Sequence, residues 1–224
     1  YWYPQSEAPL AKRDQTPKDV QAAQTLKKLM FTHRLIPGQK LIYRDLEELL
    51  GMSRTPITNA LARLEQEGLV VSKLNRGYFV KELSEAEIHQ MYQMRVKLEE
   101  ISVDLAIENH QKKDLTEWKK LIDEYRACQN GTYDYIRFQR DLDLHSHLAR
   151  MGRNVYLIDI VSQFFLSTWS WLQTVYLTKM INQFAQDHDD LFEAVRARDR
   201  EDAKRIIRQH HQVAMEMALQ GVID

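Results

Sequence analysis

Apolar residues recur every three or four positions along most of the chain, the spacing of helices that bury one face. The first such segment starts at Pro17 and is broken by Pro37-Gly38. A short helix, YRDLEELLG, is expected to stop at Gly51, and a third begins at SRTP and runs to Gly68. Proline at a helix start and glycine just past its end favour these boundaries.

The pattern then changes to two β-rich runs, LVVSK and GYFVKEL, on either side of a turn at 75–77. Such runs around a short turn predict a hairpin. Three short helices followed by a hairpin are typical of a winged helix-turn-helix domain, here residues 17–82. Residues 1–16 show no period and are expected to form an N-terminal arm.

From Ser84 onward the segments are long and amphipathic, and SEAE resembles a capping box at the first of them. The pattern predicts helices at about 84–109, 112–129, 132–151, 154–176, 179–198 and 200–219. Residues 83–224 should therefore be an all-α domain. The expected fold class is mainly α, an N-terminal winged helix-turn-helix followed by a C-terminal helical bundle.

Composition narrows the function classes. The 224 residues are 44% hydrophobic and 28% charged, as in ordinary globular proteins. No apolar run approaches the ~20 residues of a membrane span. The single cysteine, Cys128, fits a reducing cytoplasm. Residues 1–82 carry 13 Lys and Arg against 9 Asp and Glu, and the remainder 18 against 23, so a polyanion is the expected partner of the first part.

The start of the third helix has the chemistry for reading DNA. A helix that enters the major groove needs polar side chains at its N-terminus and donors for the flanking phosphates. The residues that supply them are Ser53, Arg54, Thr55 and Thr58, with Arg44 and Arg76 extending the same basic edge. The alternative is a protein-interaction winged helix with a solvated polar face.

The stretch LIPGQKLIYRDLEELLGMSRTPITNALARLEQEGLVVSKLNRGYFV resembles the N-terminal domain of the GntR family of bacterial transcription regulators. The resemblance implies double-stranded operator DNA as partner. It also implies phosphate or base contacts by one group of residues and a minor-groove wing formed by another: Arg44, Ser53, Arg54 and Thr55 in the first, Arg76 and Gly77 in the second. Thr58 stands where the family usually has an arginine, so the operator is expected to differ.

The segment RDLDLHSHLARM places two acids and two histidines on one helix. Helical spacing puts Asp141 and His145 on its apolar face and leaves Asp143 and His147 on the solvated side. His188 and His210 interrupt apolar stripes of two later helices, whereas His211 is one step off and is expected at the rim.

Three imidazoles and one carboxylate on inner faces fit a divalent metal ion, zinc first, with nickel or manganese also compatible. The alternative is three separate core histidines, each hydrogen-bonded locally.

Residues 84–220 resemble the FCD effector domain of FadR-type GntR regulators, on MRVKLEE, DLDLH with LARMGRN, and HDDLFEAVRARDREDAKRIIRQH. Metal-binding members have an Asp-x-x-x-His pair and one histidine on each of two later helices, which implies the same four residues, Asp141, His145, His188 and His210. The resemblance also implies that Arg95 faces a cavity and grips a small organic acid, with Trp169 (or Trp171), Gln173 and Tyr176 in the wall. A structural salt bridge from Arg95 to Glu99 or Glu100 is the other interpretation.

The predicted function is a ligand-responsive, homodimeric and cytoplasmic transcription regulator, expected to be a repressor. A single winged helix covers only a short half-site, so a twofold dimer on a near-palindrome is expected. One alternative is a metal-responsive regulator without an organic effector. A metal-dependent hydrolase with an accessory winged helix is disfavoured, because Asp143 faces away and no glutamate joins the inner faces of the ligand-bearing helices.

Overall fold

The computed structural model of the protein describes residues 16–32, 34–128, 135–169 and 178–223, so nearly all of the predicted N-terminal arm lies outside the described residues. The first part of the chain contains three helices and three short strands: α1 (Lys18–Phe31), β1 (Lys40–Leu41), α2 (Tyr43–Leu50), α3 (Arg54–Gln66), β2 (Val70–Lys73) and β3 (Gly77–Val80).

This part is the predicted winged helix-turn-helix, with one additional strand. α1 packs against α3, and Leu26, Ile57 and Leu61 are fully buried between them. The sheet is antiparallel in the order β1-β3-β2. β1 was not predicted, because two residues are too few to show an alternating pattern. Gly51 ends α2 with a φ of 61°, a left-handed conformation that glycine adopts without steric cost.

The second part is all-helical over the residues that the structure describes. Its elements are α4 (Glu85–Asn109), α5 (Lys112–Arg126), α6 (Tyr135–Met151), α7 (Val155–Trp169), α8 (Thr178–Arg196) and α9 (Arg200–Ile223). The predicted capping box is confirmed at α4, where the Glu87 amide donates to the Ser84 hydroxyl (3.3 Å) and the Ser84 amide donates to the Glu87 carboxylate (2.9 Å).

α4 occupies the centre of the bundle and packs against α6, α7, α8 and α9. The core between the helices is built around large side chains that are almost fully buried, among them Trp118, Tyr125, Phe138 and Phe165. α6 also packs against α5 and α7, and α9 packs against α8. α6 and α9, which both carry histidines, are therefore each covered by more than one helix.

The two parts of the chain touch through an aromatic contact. Phe31, the last residue of α1, packs against the helical core, and its ring centroid lies 5.4 Å from that of Phe138 on α6. None of the helices in the described ranges is long and apolar enough to cross a bilayer.

Candidate nucleic-acid interface and metal centre

The residues predicted to face DNA lie on the surface of the winged helix. Arg44 is exposed in the first turn of α2, and Ser53, Arg54 and Thr55 are exposed where α3 begins. The buried residues Ile57, Ala60 and Leu61 fix the opposite side of α3 to the core, so its polar N-terminal face must point outward.

Arg54 and Thr58 have defined local contacts. The guanidinium of Arg54 lies 4.4 Å from the ring centroid of Tyr43, and the Thr58 hydroxyl donates to the Arg54 carbonyl at 3.0 Å. Ser53 occupies the N-cap position of α3 but accepts no capping hydrogen bond. Arg76 and Gly77 are exposed at the hairpin, where Asn75 and Gly77 have φ values of 58° and 85°.

The four predicted metal ligands come together inside the bundle. Asp141 and His145 are on α6, His188 is on α8 and His210 is on α9. One ligand atom from each of the four lies within 4.8 Å of the others, and all four residues are buried. Oδ1 of Asp141 is 3.3 Å from Nε2 of His188 and 3.7 Å from Nε2 of His145.

The ionisation states of Asp141 and His188 suit a cation. Burial lowers the pKa of His188 to about 4, in spite of the Asp141 carboxylate beside it, so the imidazole is neutral at pH 7. Burial alone would raise the pKa of Asp141, but the hydrogen bond from His188 and the neighbouring histidines lower it, so this residue is a carboxylate. Neutral imidazoles and ionised carboxylates are the forms that ligate metals.

Buried polar atoms in the cluster support the same interpretation. Nε2 of His145 and Nδ1 of His188 are buried and make no hydrogen bond. Buried polar groups are normally satisfied, so such atoms require an explanation. Three imidazole nitrogens and a carboxylate oxygen are a suitable donor set for zinc and similar ions.

Two histidines are more buried than the sequence predicted. His147, expected in solvent, is 7% exposed, and its Nε2 donates to the Asp114 carbonyl at 3.0 Å because α5 covers that side of α6. His211, expected at the rim, is fully buried because α9 contacts both α4 and α8. Asp143 was expected on the solvated side of α6, and 46% of its side chain is exposed there, beside Arg140.

Two carboxylates that contact the histidines, Glu99 and Asp187, were not predicted from the sequence to belong to this cluster. Glu99 on α4 is 1% exposed, hydrogen-bonds Nδ1 of His145, and lies 2.9 Å from Nε2 of His211. Asp187 lies 3.2 Å from Nδ1 of His210. The only local signal for Glu99 was its position one helical turn after Arg95 in MRVKLEE.

Of the four residues assigned to the effector, Arg95 is the one whose side chain the structure describes. Its Nε donates to Glu99 at 3.1 Å, and its guanidinium carbon lies 3.8 Å from the ring centroid of Phe165. The predicted alternative of a salt bridge to Glu99 is thus present. Trp169 ends α7, but its side chain is outside the described part of the chain, as are residues Gln173 and Tyr176.

A winged helix with an exposed basic face, joined to an all-helical second domain, is typical of a class of DNA-binding regulators. Comparison with known proteins identifies the family. The FCD domain matches residues 90–213, more than half of the chain, and "Bacterial regulatory proteins, gntR family" matches residues 18–80. The protein belongs to the GntR family and carries an FCD domain, and it is a DNA-binding transcriptional regulator.

Individual relatives agree with this assignment. The HTH-type transcriptional regulator YdhC of Bacillus subtilis (strain 168) is 25% identical over 204 residues, covering 87% of this chain and 88% of YdhC. McbR of Escherichia coli (strain K12), also an HTH-type transcriptional regulator, is 32% identical over 110 residues, covering 49% of this chain and 50% of McbR.

Solved structures show the same fold. Escherichia coli McbR/YncC aligns with a TM-score of 0.74 at 22% identity, covering 92% of this chain and 98% of that one. A GntR regulator from Rhodococcus sp. RHA1 gives 0.70 at 19% identity, with coverages of 91% and 98%. Because the matched families and relatives are regulators, the alternative of a metal-dependent hydrolase is set aside.

Proposed function

We propose that the protein is a homodimeric repressor of the bacterial cytoplasm, in which a divalent metal ion and a small organic acid in the helical domain control operator binding. The convergence of Asp141, His145, His188 and His210 is the observation that carries this proposal. Their four donor atoms come from three helices, so an ion held by all of them would fix how α6, α8 and α9 pack.

The organic acid is proposed from the neighbourhood of Arg95. A guanidinium can bind a carboxylate through two parallel hydrogen bonds. Arg95 belongs to the buried layer around the histidine cluster, since it pairs with Glu99, which in turn contacts His145. An acid bound by Arg95 would therefore lie close to the ion, and Trp169, Gln173 and Tyr176 are proposed as further contacts.

DNA binding is proposed to use the exposed residues Arg44, Ser53, Arg54, Thr55, Thr58, Arg76 and Gly77. Thr58 has its hydroxyl hydrogen engaged by the Arg54 carbonyl, so it would offer a base edge an acceptor oxygen and a methyl group. This is a different recognition chemistry from the arginine usual at that position in the family.

The dimer is proposed from an exposed apolar face. α4 and α7 pack against each other, and both leave large apolar side chains in solvent. These are Met94, Ile101, Val155, Tyr156 and Ile160, with exposures between 42% and 78%. A second copy of the chain would cover them on both molecules at once, as a twofold interface does.

The metal experiment compares four variants. Replacement of His188 or His210 by alanine should remove zinc from the purified protein and abolish the rise in melting temperature on adding Zn²⁺. Replacement of His147 or Asp143 should leave the zinc content unchanged, although His147→Ala loses stability. Zinc lost from the His147 variant and retained by the His210 variant would refute the assignment.

The DNA experiment uses fragments enriched by the protein from sheared genomic DNA. Arg54→Ala should weaken binding and lower the slope of log affinity against log salt by about one. The same fragments, titrated with Zn²⁺ alone, separate two mechanisms. A change in DNA affinity on adding zinc would mean that the ion is itself the signal, and no change would leave that role to the organic acid.

A further inference from the structure

Two carboxylates contact the Nδ1 atoms of two of the proposed ligands. Glu99 Oε2 is hydrogen-bonded to Nδ1 of His145, and Asp187 Oδ2 lies 3.2 Å from Nδ1 of His210. In both pairs the contact uses Nδ1, and in His145 it is Nε2 that faces Asp141, at 3.7 Å. A carboxylate can only accept, so each imidazole must carry its proton on Nδ1.

Glu99 is itself held from the other side. Its second oxygen, Oε1, lies 2.9 Å from Nε2 of His211 and 3.1 Å from Nε of Arg95. Glu99, Arg95 and His211 are at most 5% exposed. Oε1 of Glu99 thus accepts a hydrogen bond from Arg95 on α4 and lies beside His211 on α9, and Oε2 is hydrogen-bonded to His145 on α6.

We propose that Glu99 is a positioning residue for the metal centre, which holds His145 as the Nδ1-protonated tautomer with its Nε2 lone pair directed at the ion. Asp187 has the same role for His210. This inference rests on the proposed metal site. A carboxylate that accepts from the far side of an imidazole also makes the other nitrogen a stronger donor, so it raises metal affinity without touching the metal.

The two carboxylates differ in how firmly they are held. Glu99 is 1% exposed and is held in an ion pair with Arg95, with Nε2 of His211 also 2.9 Å from its Oε1. Asp187 is 7% exposed and receives one further hydrogen bond, from the neutral amide of Gln183 at 2.7 Å. Loss of the Glu99 charge should therefore have the larger effect on metal affinity.

The test is Zn²⁺ affinity of the full chain, measured by competition with a chromophoric chelator. Glu99→Gln keeps the side-chain shape but removes the charge, and its NH₂ group can face Nδ1 and favour the opposite tautomer. The expected result is a weakening of about 10–100-fold. The matched control is Glu100→Gln, the adjacent glutamate, which pairs with Lys97 (2.9 Å) and Arg208 and should leave the affinity unchanged.

A second readout separates positioning from a loss of packing. Nitrogen-15 spectra of the apo protein should show His145 protonated on Nδ1 in the wild type and a changed tautomer in Glu99→Gln, but not in Glu100→Gln. If Glu99→Gln fails to fold, Asp187→Asn carries the same test at His210.

The outcomes are distinct. Wild-type protein that binds no Zn²⁺ would overturn the proposed metal site, and this inference with it. Wild-type protein that binds Zn²⁺, with Glu99→Gln or Asp187→Asn matching it in affinity and tautomer, would overturn the positioning role alone.

Discussion

Asp114, in the first turn of α5, ties three segments of the helical domain together. Its carboxylate accepts hydrogen bonds from the Gln111 amide (2.8 Å) and from Arg153, in the turn after α6. Its backbone carbonyl accepts from His147 at 3.0 Å. Burial alone would raise the pKa of Asp114, but the hydrogen bonds from Arg153 and Gln111 lower it below its ordinary value of 3.8.

Replacement of Asp114 by asparagine is predicted to destabilise the protein in a pH-dependent way. A lowered folded-state pKa means that the carboxylate contributes stability above pH ~4, and that this contribution is lost as the pH falls through the folded value. We expect Asp114→Asn to cost about 1–2 kcal/mol at pH 7. Urea unfolding of both proteins from pH 7 to pH 3 should show the difference shrinking.

Asp123→Asn is the matched control, because Asp123 has 60% of its side chain exposed beside Lys119 on the same helix. An exposed pair of this kind contributes little to stability. A difference between wild type and Asp114→Asn that stayed constant over the pH range would show that the ion pair is not its source.

At the scale of helices, the turn between α6 and α7 depends on a close approach to α4. A Cβ atom at Gly152 would lie 2.7 Å from Cβ of Leu105 and 3.2 Å from the Ala149 carbonyl oxygen. Leu98 and Leu105 of α4 also pack against the buried cluster of Ala149, Leu157 and Val161, so the turn and the α4–α7 packing are one unit. Glycine is required here by space rather than by backbone conformation.

Gly152→Ala is therefore predicted to destabilise the helical domain by about 1–3 kcal/mol, the usual cost of overpacking. The atom in the way is Cβ of Leu105, which alanine would keep and glycine would remove. The double variant Gly152→Ala, Leu105→Gly should therefore lose less than the sum of the two single variants. Denaturant unfolding of the four proteins measures this. Strictly additive losses would mean that the two side chains do not compete for the same space.

At the scale of the whole molecule, the described residues include at least two connections between the winged helix and the helical domain. One is the chain itself, since β3 leads through 81–84 directly into α4. The other is a series of ring contacts from Phe31 to Phe138 (5.4 Å), from Phe138 to Phe165 (5.4 Å), and from Phe165 to His145 (5.1 Å). A change at the proposed metal centre therefore has a path to α1 that does not run along α4.

Where Zn²⁺ changes DNA affinity, Phe31→Ala is predicted to reduce that change while leaving Zn²⁺ affinity itself nearly unchanged. Residues that carry coupling without touching either ligand typically change it by about 0.5–2 kcal/mol. Phe31→Leu, which keeps an apolar contact with Phe138, should retain more of the response. DNA titrations with and without zinc measure the coupling, and a full response in Phe31→Ala would exclude this route.

The sequence by itself determined most of the elements and which four residues meet in the buried cluster. The helices, the hairpin and the capping box depend on spacing within a few residues, and so does the pair Asp141 and His145, which are one turn apart. A periodic pattern states which face of a helix is most apolar. It therefore selected His188 and His210 correctly as inward-facing residues, and the family resemblance selected the same set.

Only the tertiary structure decided how wide each buried face is and what reaches it from elsewhere. His147 and His211 are buried because α6 and α9 are each covered by more than one helix, which no single-helix pattern records. Glu99 contacts His145, which lies 46 residues further along the chain, and Phe31 of the winged helix contacts Phe138 of the helical domain. Such contacts arise from the packing of distant segments, so the local pattern contains no signal for them.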